Sequence, residues 1–141
     1  DWWAYKYEVK EAIPYNASIM QQAGVLTAIN SDDGEMGRRL NHEAAKAIKY
    51  GNISELEAWN MITINPAKLL HIDDRVGSIS VGKDADLVLW SGHPLSVYSK
   101  VEKTYIEGIC YFDIDEDEYL QEYIKSEKSR IIQKVLAKKK K

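Results

Sequence analysis

The sequence predicts an α/β chain of two packing layers followed by a separate helix. Three observations carry that expectation. "VLTAI" at 25–29 is a short, mostly apolar run bounded by Gly24 and Asn30, the form of a parallel strand buried on both faces. Met36, Leu40, Ala44, Ala47 and Ile48 recur at helical spacing. Beyond His71 the chain turns to short segments punctuated by Gly77, Gly82 and Gly108.

Each element follows in order. "EVKEAIPYNASIMQQ" reads as a helix over 8–22 with Pro14 as an early irregularity and Gly24 as its stop signal. After the strand, a helix is expected from about 35 to 50, ended by Gly51. "SELE" at 54–57 is a capping box, in which Ser54 and Glu57 satisfy each other's backbone donors. The helix it opens should run through Trp59 and Met61 to Thr63. "NPAKLL" then opens a short helix with Asn65 as cap and Pro66 at its first position. "RVGSISVGKDADLVLW" alternates, breaks at Gly82 and then runs apolar, and "KTYIEGICYF" is two strands about a turn at Glu107-Gly108. From Asp115 the chain is helical again, with Leu120, Ile124, Ile131 and Val135 in one stripe.

The chain has 141 residues, enough for one domain, and its net charge of −3 gives no argument for a nucleic-acid or membrane partner. No apolar run approaches the roughly 20 residues of a membrane span. Lys138 to Lys141 form a basic tail that reads as solvated. Cys110 is the only cysteine, so no internal disulfide or thiolate metal site can form, and its place in "ICYF" suits a small core residue. No compartment is assigned. The opening "DWWAYKYEV" lacks an initiator Met and gathers aromatic surface. It reads as the cut edge of a longer protein.

The candidate chemistry sits at the end of the first strand, where Asn30-Ser31-Asp32-Asp33 follow the apolar run. Loops at the carboxyl ends of parallel strands hold polar groups over a packed core. A carboxylate there can ligate a divalent metal, act as a general base or cap the next helix. Asp33, directly before the next helix, suits the cap. A metal site needs three or four ligands. The histidines, His42, His71 and His93, show no H-x-H or H-E-x-x-H spacing and read as surface residues. By motif, this chain can donate one ligand to a site whose others lie elsewhere.

"MITINPAKLL", "VGSISVGKDADLVLW" and "VEKTYIEGICYF", in that order and spacing, resemble the carboxyl-terminal part of the metal-dependent amidohydrolase superfamily, closest to its imidazolonepropionase-like branch. The resemblance covers roughly residues 1–112. It implies that "VLTAI" is the last strand of a (β/α)8 TIM barrel and that residues 35–50 and 54–70 are the helices after it. It also implies that 77–112 supply the carboxyl-terminal strands of a small β-sandwich. The corresponding divisions are 1–73 for the barrel portion, 74–113 for the sandwich segment and 114–141 for an extra amphipathic helix and tail.

The resemblance passes to Asp32, in its Ser31-Asp32 context, the family's metal-binding and proton-shuttling role. Asn30, Asp33 and Arg39 are weaker candidates for lining a substrate pocket. The implied cofactor is a divalent metal, zinc by preference, in the complete protein and none in this piece alone. The implied partners are a small amide or dipeptide substrate and the rest of the barrel. Lys83, Asp84 and Asp86 read as hairpin and sandwich structure. The alternative is a non-catalytic binding or assembly module, or a pseudo-enzyme piece that self-associates through its orphaned barrel surface. An independent α/β domain unrelated to barrels is a third reading.

Overall fold

The computed structural model describes residues 7–139. Trp2, Trp3 and Tyr5 of the aromatic opening, and the last two lysines of the tail, lie outside the described residues. Pro14 sets where the first helix begins, because its ring removes a donor and pushes the preceding residue out of the helical region. After one 3-10 turn at Tyr7–Val9, α1 runs only over Asn16–Gln22. The continuous helix expected from residue 8 is thereby corrected. Gly24 stops α1 as expected. At φ +81°, its N–H donates to Gln21 O and the Val25 N–H donates to Met20 O, each at 3.0 Å, which is a Schellman closure.

The strand expected at 25–29 is not formed. Residues 25–32 have no regular secondary structure, Val25 and Leu26 are exposed, and only Thr27 is buried. A parallel strand takes its hydrogen bonds from neighbouring strands, and among the described residues none lies beside this segment. It is held from one side instead. Asn65 Nδ2 donates to Thr27 O at 2.8 Å, and the Ile29 N–H donates to Met61 O at 3.0 Å.

The helix expected over 35–50 is two helices, α2 (Gly34–Gly37) and α3 (Leu40–Gly51), broken at Arg38-Arg39. Two glycines in the four residues of α2 give it little intrinsic helix strength. At the far end, Gly51 is not the stop. Asn52 adopts the left-handed conformation at φ +52° and its N–H donates to Ile48 O at 3.0 Å. Gly51 serves packing instead. A Cβ there would lie 1.8 Å from Ser18 Oγ, so its absence lets α1 press against α3. Ser18 Oγ, buried in that contact, donates to Ala47 O at 3.0 Å.

The capping box forms as read. The Glu57 N–H donates to Ser54 Oγ at 3.2 Å and the Ser54 N–H to Glu57 Oε2 at 2.9 Å, opening α4 (Glu55–Asn60). α4 ends before Thr63, and α5 (Ile64–Leu69) takes Thr63 rather than Asn65 as its cap residue. Asn65 is spent on Thr27. Pro66, third in α5, still falls among the first-turn residues whose N–H has no helical partner. Ala44, Ala47, Ile53, Ala58, Met61 and Leu95 make the core, with Ile29, Ile48 and Trp59 packed against it. Asn41 Nδ2 donates to Pro94 O at 2.7 Å and ties the 92–95 turn to α3.

Residues 71–86 are turns, and the alternation of "RVGSISV" does not produce a strand: Ile79 and Val81 stand exposed. β1 (Leu87–Trp90), β2 (Val101–Ile106) and β3 (Ile109–Asp113) form an antiparallel sheet in chain order. The Glu107-Gly108 turn has both residues at positive φ, +51° and +80°, the requirement of a two-residue hairpin.

Lys83, Asp84 and Asp86 lie in the turns before β1 and make contacts within the fold. Asp84 pairs with Arg75 at 2.7 Å, Asp86 Oδ1 accepts from the Glu107 N–H at 2.9 Å, and Lys83 Nζ donates to Ser78 Oγ at 2.7 Å. Cys110, read as a core residue, is exposed. It lies on the edge strand β3, and no second layer among the described residues covers its side chain. α6 (Ile114–Lys139) is one helix of 26 residues. Among the described residues no helix is long and apolar enough to cross a membrane.

The candidate functional site

Four consecutive residues between the irregular segment and α2 build a tight polar corner. Asn30 Oδ1 accepts from the Asp32 N–H at 3.1 Å, and Ser31 Oγ accepts from the Asp33 N–H at 3.3 Å. These are side-chain turns of the kind Asn and Ser favour. Asp33 Oδ1 then accepts from the N–H groups of Glu35 and Met36, both at 2.8 Å, satisfying two orphan donors at the start of α2. A Cβ on Gly37 would stand 3.4 Å from Ser31 Oγ, so α2 folds back over the same corner.

Three of the four side chains are therefore engaged by backbone. Asp32 is the exception. Its backbone sits at φ +47°, a conformation Asp tolerates better than most residues, and the residue is exposed. Among the described residues its carboxylate has neither a hydrogen bond nor an ion pair, so both oxygens remain available. Asp32 and Asp33, adjacent in sequence, are separated in role by this geometry.

The other expected site residues fall as follows. Asn30 is bonded to the Asp32 backbone. Arg39 is exposed, at the residue before α3, and makes no side-chain cap. His42 is half-buried on α3, and His71 is exposed at φ +57°. His93 is exposed, with Nε2 3.3 Å from Glu55 Oε2. No group of three or more His, Cys, Asp or Glu able to hold a metal occurs among the described residues. An unpartnered carboxylate is a hard oxygen donor that suits a divalent cation. The donor set here fits such an ion as one ligand and no more.

Sequence reasoning missed that Asn30 and Ser31 are the scaffold of the corner. The signal was present, since each is a turn-forming residue two positions before an N–H that needs an acceptor.

The sequence pattern of the amidohydrolase family matches residues 15–138. Over 110 residues the chain is 31% identical to "Amidohydrolase tasK" of Hapsidospora irregularis, a match covering 77% of this chain and 11% of that protein. It is 62% identical over 34 residues to the imidazolonepropionase of Shewanella frigidimarina, covering 24% of this chain and 8% of that one. The crystal structure of an amidohydrolase from Thermotoga maritima superposes with a TM-score of 0.72 at 40% identity, over 77% of this chain and 28% of that chain. The chain thus spans about a tenth of each of these two relatives' length and just over a quarter of the solved structure.

Proposed function

The chain belongs to the amidohydrolase family, and from that premise we propose that it forms the closing part of a metal-dependent hydrolase that cleaves a carbon–nitrogen bond in a small amide or dipeptide. In this reading residues 1–73 complete a (β/α)8 barrel, with 25–29 as its last strand. Residues 74–113 complete a composite β-sandwich, and 114–141 are an appended helix and tail. The observation that carries the functional reading is the unpartnered carboxylate of Asp32 on a corner wired by its neighbours.

Asp32 would contribute one ligand to a divalent metal, which we assign as zinc because a Lewis acid without redox chemistry suits hydrolysis. Bound there, the metal supplies the polarisation that makes water a nucleophile near neutral pH. The work of this chain is positional and protonic. The Asp32 carboxylate accepts a proton from the attacking water and returns it to the leaving nitrogen. Asn30 holds the Asp32 N–H and Ser31 the Asp33 N–H, which limits wander of the carboxylate between them, and small misplacements at such a position lower the rate steeply. Asp33 holds α2 behind the corner. The isolated 141-residue chain, able to offer one ligand, is expected to be inactive.

The test uses the full-length protein with its metal. Asp32→Asn should lower kcat by about 10²–10⁴-fold, the scale of a lost general acid–base, and weaken metal retention by elemental analysis. Asp33→Asn, which keeps a capping side chain, should leave both near wild type. An Asp32→Asn enzyme with wild-type kcat and metal content removes Asp32 from the mechanism.

A further inference from the structure

α6 meets the rest of the chain chiefly at β2 and β3, and it carries an apolar stripe that stands exposed among the described residues. Leu120, Ile124, Ile131 and Val135 are 44–54% exposed. Two patterns indicate the occupant. The stripe is a mirror of itself about the midpoint between Glu127 and Lys128: Ile124 reflects Ile131, and Leu120 reflects Val135. The shallow apolar groove on the helix has the same centre, bounded by Tyr123 and Ile124 on one side and Ile131 and Ile132 on the other.

Charge follows an opposite rule. The helix opens with Asp115, Glu116, Asp117 and Glu118 and closes with Lys134, Lys138 and Lys139. The mirror that matches apolar to apolar therefore sets acid against base, with Asp117 facing Lys138 and Glu127 facing Lys128. Such a helix is complementary to its own reverse.

We propose that α6 pairs antiparallel with α6 of a second copy of this chain, about a two-fold axis at Glu127-Lys128. A two-fold contact places the same patch on both partners, which the mirror satisfies. A parallel pair would stack the acidic ends together and the basic ends together, a juxtaposition that selects against it. One mirrored pair is of like charge, Lys125 with Arg130. Arg130 is already balanced within its own helix, where Nε and a terminal nitrogen donate to Glu127 at 2.6–3.0 Å. The contact is small for a protein interface, so the dimer should be a dissociable one.

Sedimentation equilibrium on the 141-residue chain tests this, over a range on the order of 1–100 µM suited to a small interface. Monomer and dimer should interconvert. Ile131→Asp, on an exposed helical position, should raise Kd by about tenfold or more through burial of an unpaired charge, with unchanged far-ultraviolet circular dichroism. Glu127→Lys should weaken the dimer, and adding Lys128→Glu should restore it. Leu26→Asp, on the irregular segment, should leave it intact.

Orientation is read by oxidative cross-linking in a Cys110→Ser background. Chains with Leu120→Cys mixed with chains with Val135→Cys should form the mixed disulfide in excess over either homodimer. A monomer at every concentration, a dimer broken by Leu26→Asp but not by Ile131→Asp, or preferential homodimer cross-links would each overturn the proposal.

Discussion

A methyl group at position 51 would lie 1.8 Å from Ser18 Oγ and 2.2 Å from Ser18 Cβ, distances no side-chain rotation at Ser18 can relieve. Alanine is the better helix former by about 1 kcal/mol, so propensity and packing oppose each other here. Overpacking of this kind costs about 1–3 kcal/mol, and displacing Ser18 also breaks its bond to Ala47 O. Gly51→Ala should therefore lower the urea midpoint, and Ser18→Gly in the same chain should recover part of the loss. A Gly51→Ala midpoint at or above wild type would mean that α1 and α3 are not so closely pressed. The same scale separates what residue type alone discloses. Asp33 was legible as a cap because capping needs only the local chain. Gly51 reads as a stop from sequence alone, because sequence shows its permissiveness and not the Ser18 that occupies the space of its missing side chain.

Among the elements, α4 tests how local chemistry acts on stability. Ser54→Ala should cost about 1 kcal/mol, the usual worth of an N-cap, measured by denaturant unfolding. The acid dependence has its own sign. The Ser54 backbone N–H, then the Ser54 hydroxyl, hold the Glu57 carboxyl below its ordinary value. At the sheet, the Lys103 ammonium and the Asp115 N–H do the same to Asp113. Depressed carboxyl groups stabilise the fold above their unfolded pKa, and that contribution is lost as pH falls through the folded value. Lys103, raised by Asp113, contributes below its unfolded pKa and is lost as pH climbs through the raised one. Stability should thus be flat through neutral pH and decline at acid pH. Glu57→Gln, which keeps an acceptor for the Ser54 N–H, should flatten part of the acid decline. An identical acid limb in that variant would show that Glu57 does not titrate with folding. Elements closed by their own residues, the capping box and the Glu107-Gly108 hairpin, were readable from sequence. Elements needing partners were not: "VLTAI" and "RVGSISV" have strand patterns, but a pattern becomes a strand only beside another.

At the scale of the whole molecule, residues 25–29 are the segment by which the proposed barrel stands or falls. The Ile29 N–H is bonded to Met61 O and the Val25 N–H to Met20 O, whereas Leu26, Thr27 and Ala28 donate no backbone hydrogen bond among the described residues. The segment's N–H groups are thus bonded at its ends and unpaired between them, its middle being held through the buried Thr27, whose carbonyl accepts from Asn65 Nδ2, while Leu26 is exposed. An apolar side chain and unpaired donors in one short run are what an inner strand shows when its neighbours are missing. If 25–29 is the last strand of a barrel, the complete protein supplies a neighbour on each side, and the N–H groups of 26–28 enter ladders to the two neighbours in alternation. Hydrogen exchange then distinguishes the two states residue by residue. In the 141-residue chain the amides of Leu26 and Ala28 should exchange with little protection while Ile29 is slowed. In the full-length protein protection at 26–28 should rise by about 100-fold or more, the order expected when exchange changes from local fraying to sub-global opening. Equal protection in both proteins would leave 25–29 an irregular connector, and Asp32 would then lack the rigid strand end that its proposed chemistry requires.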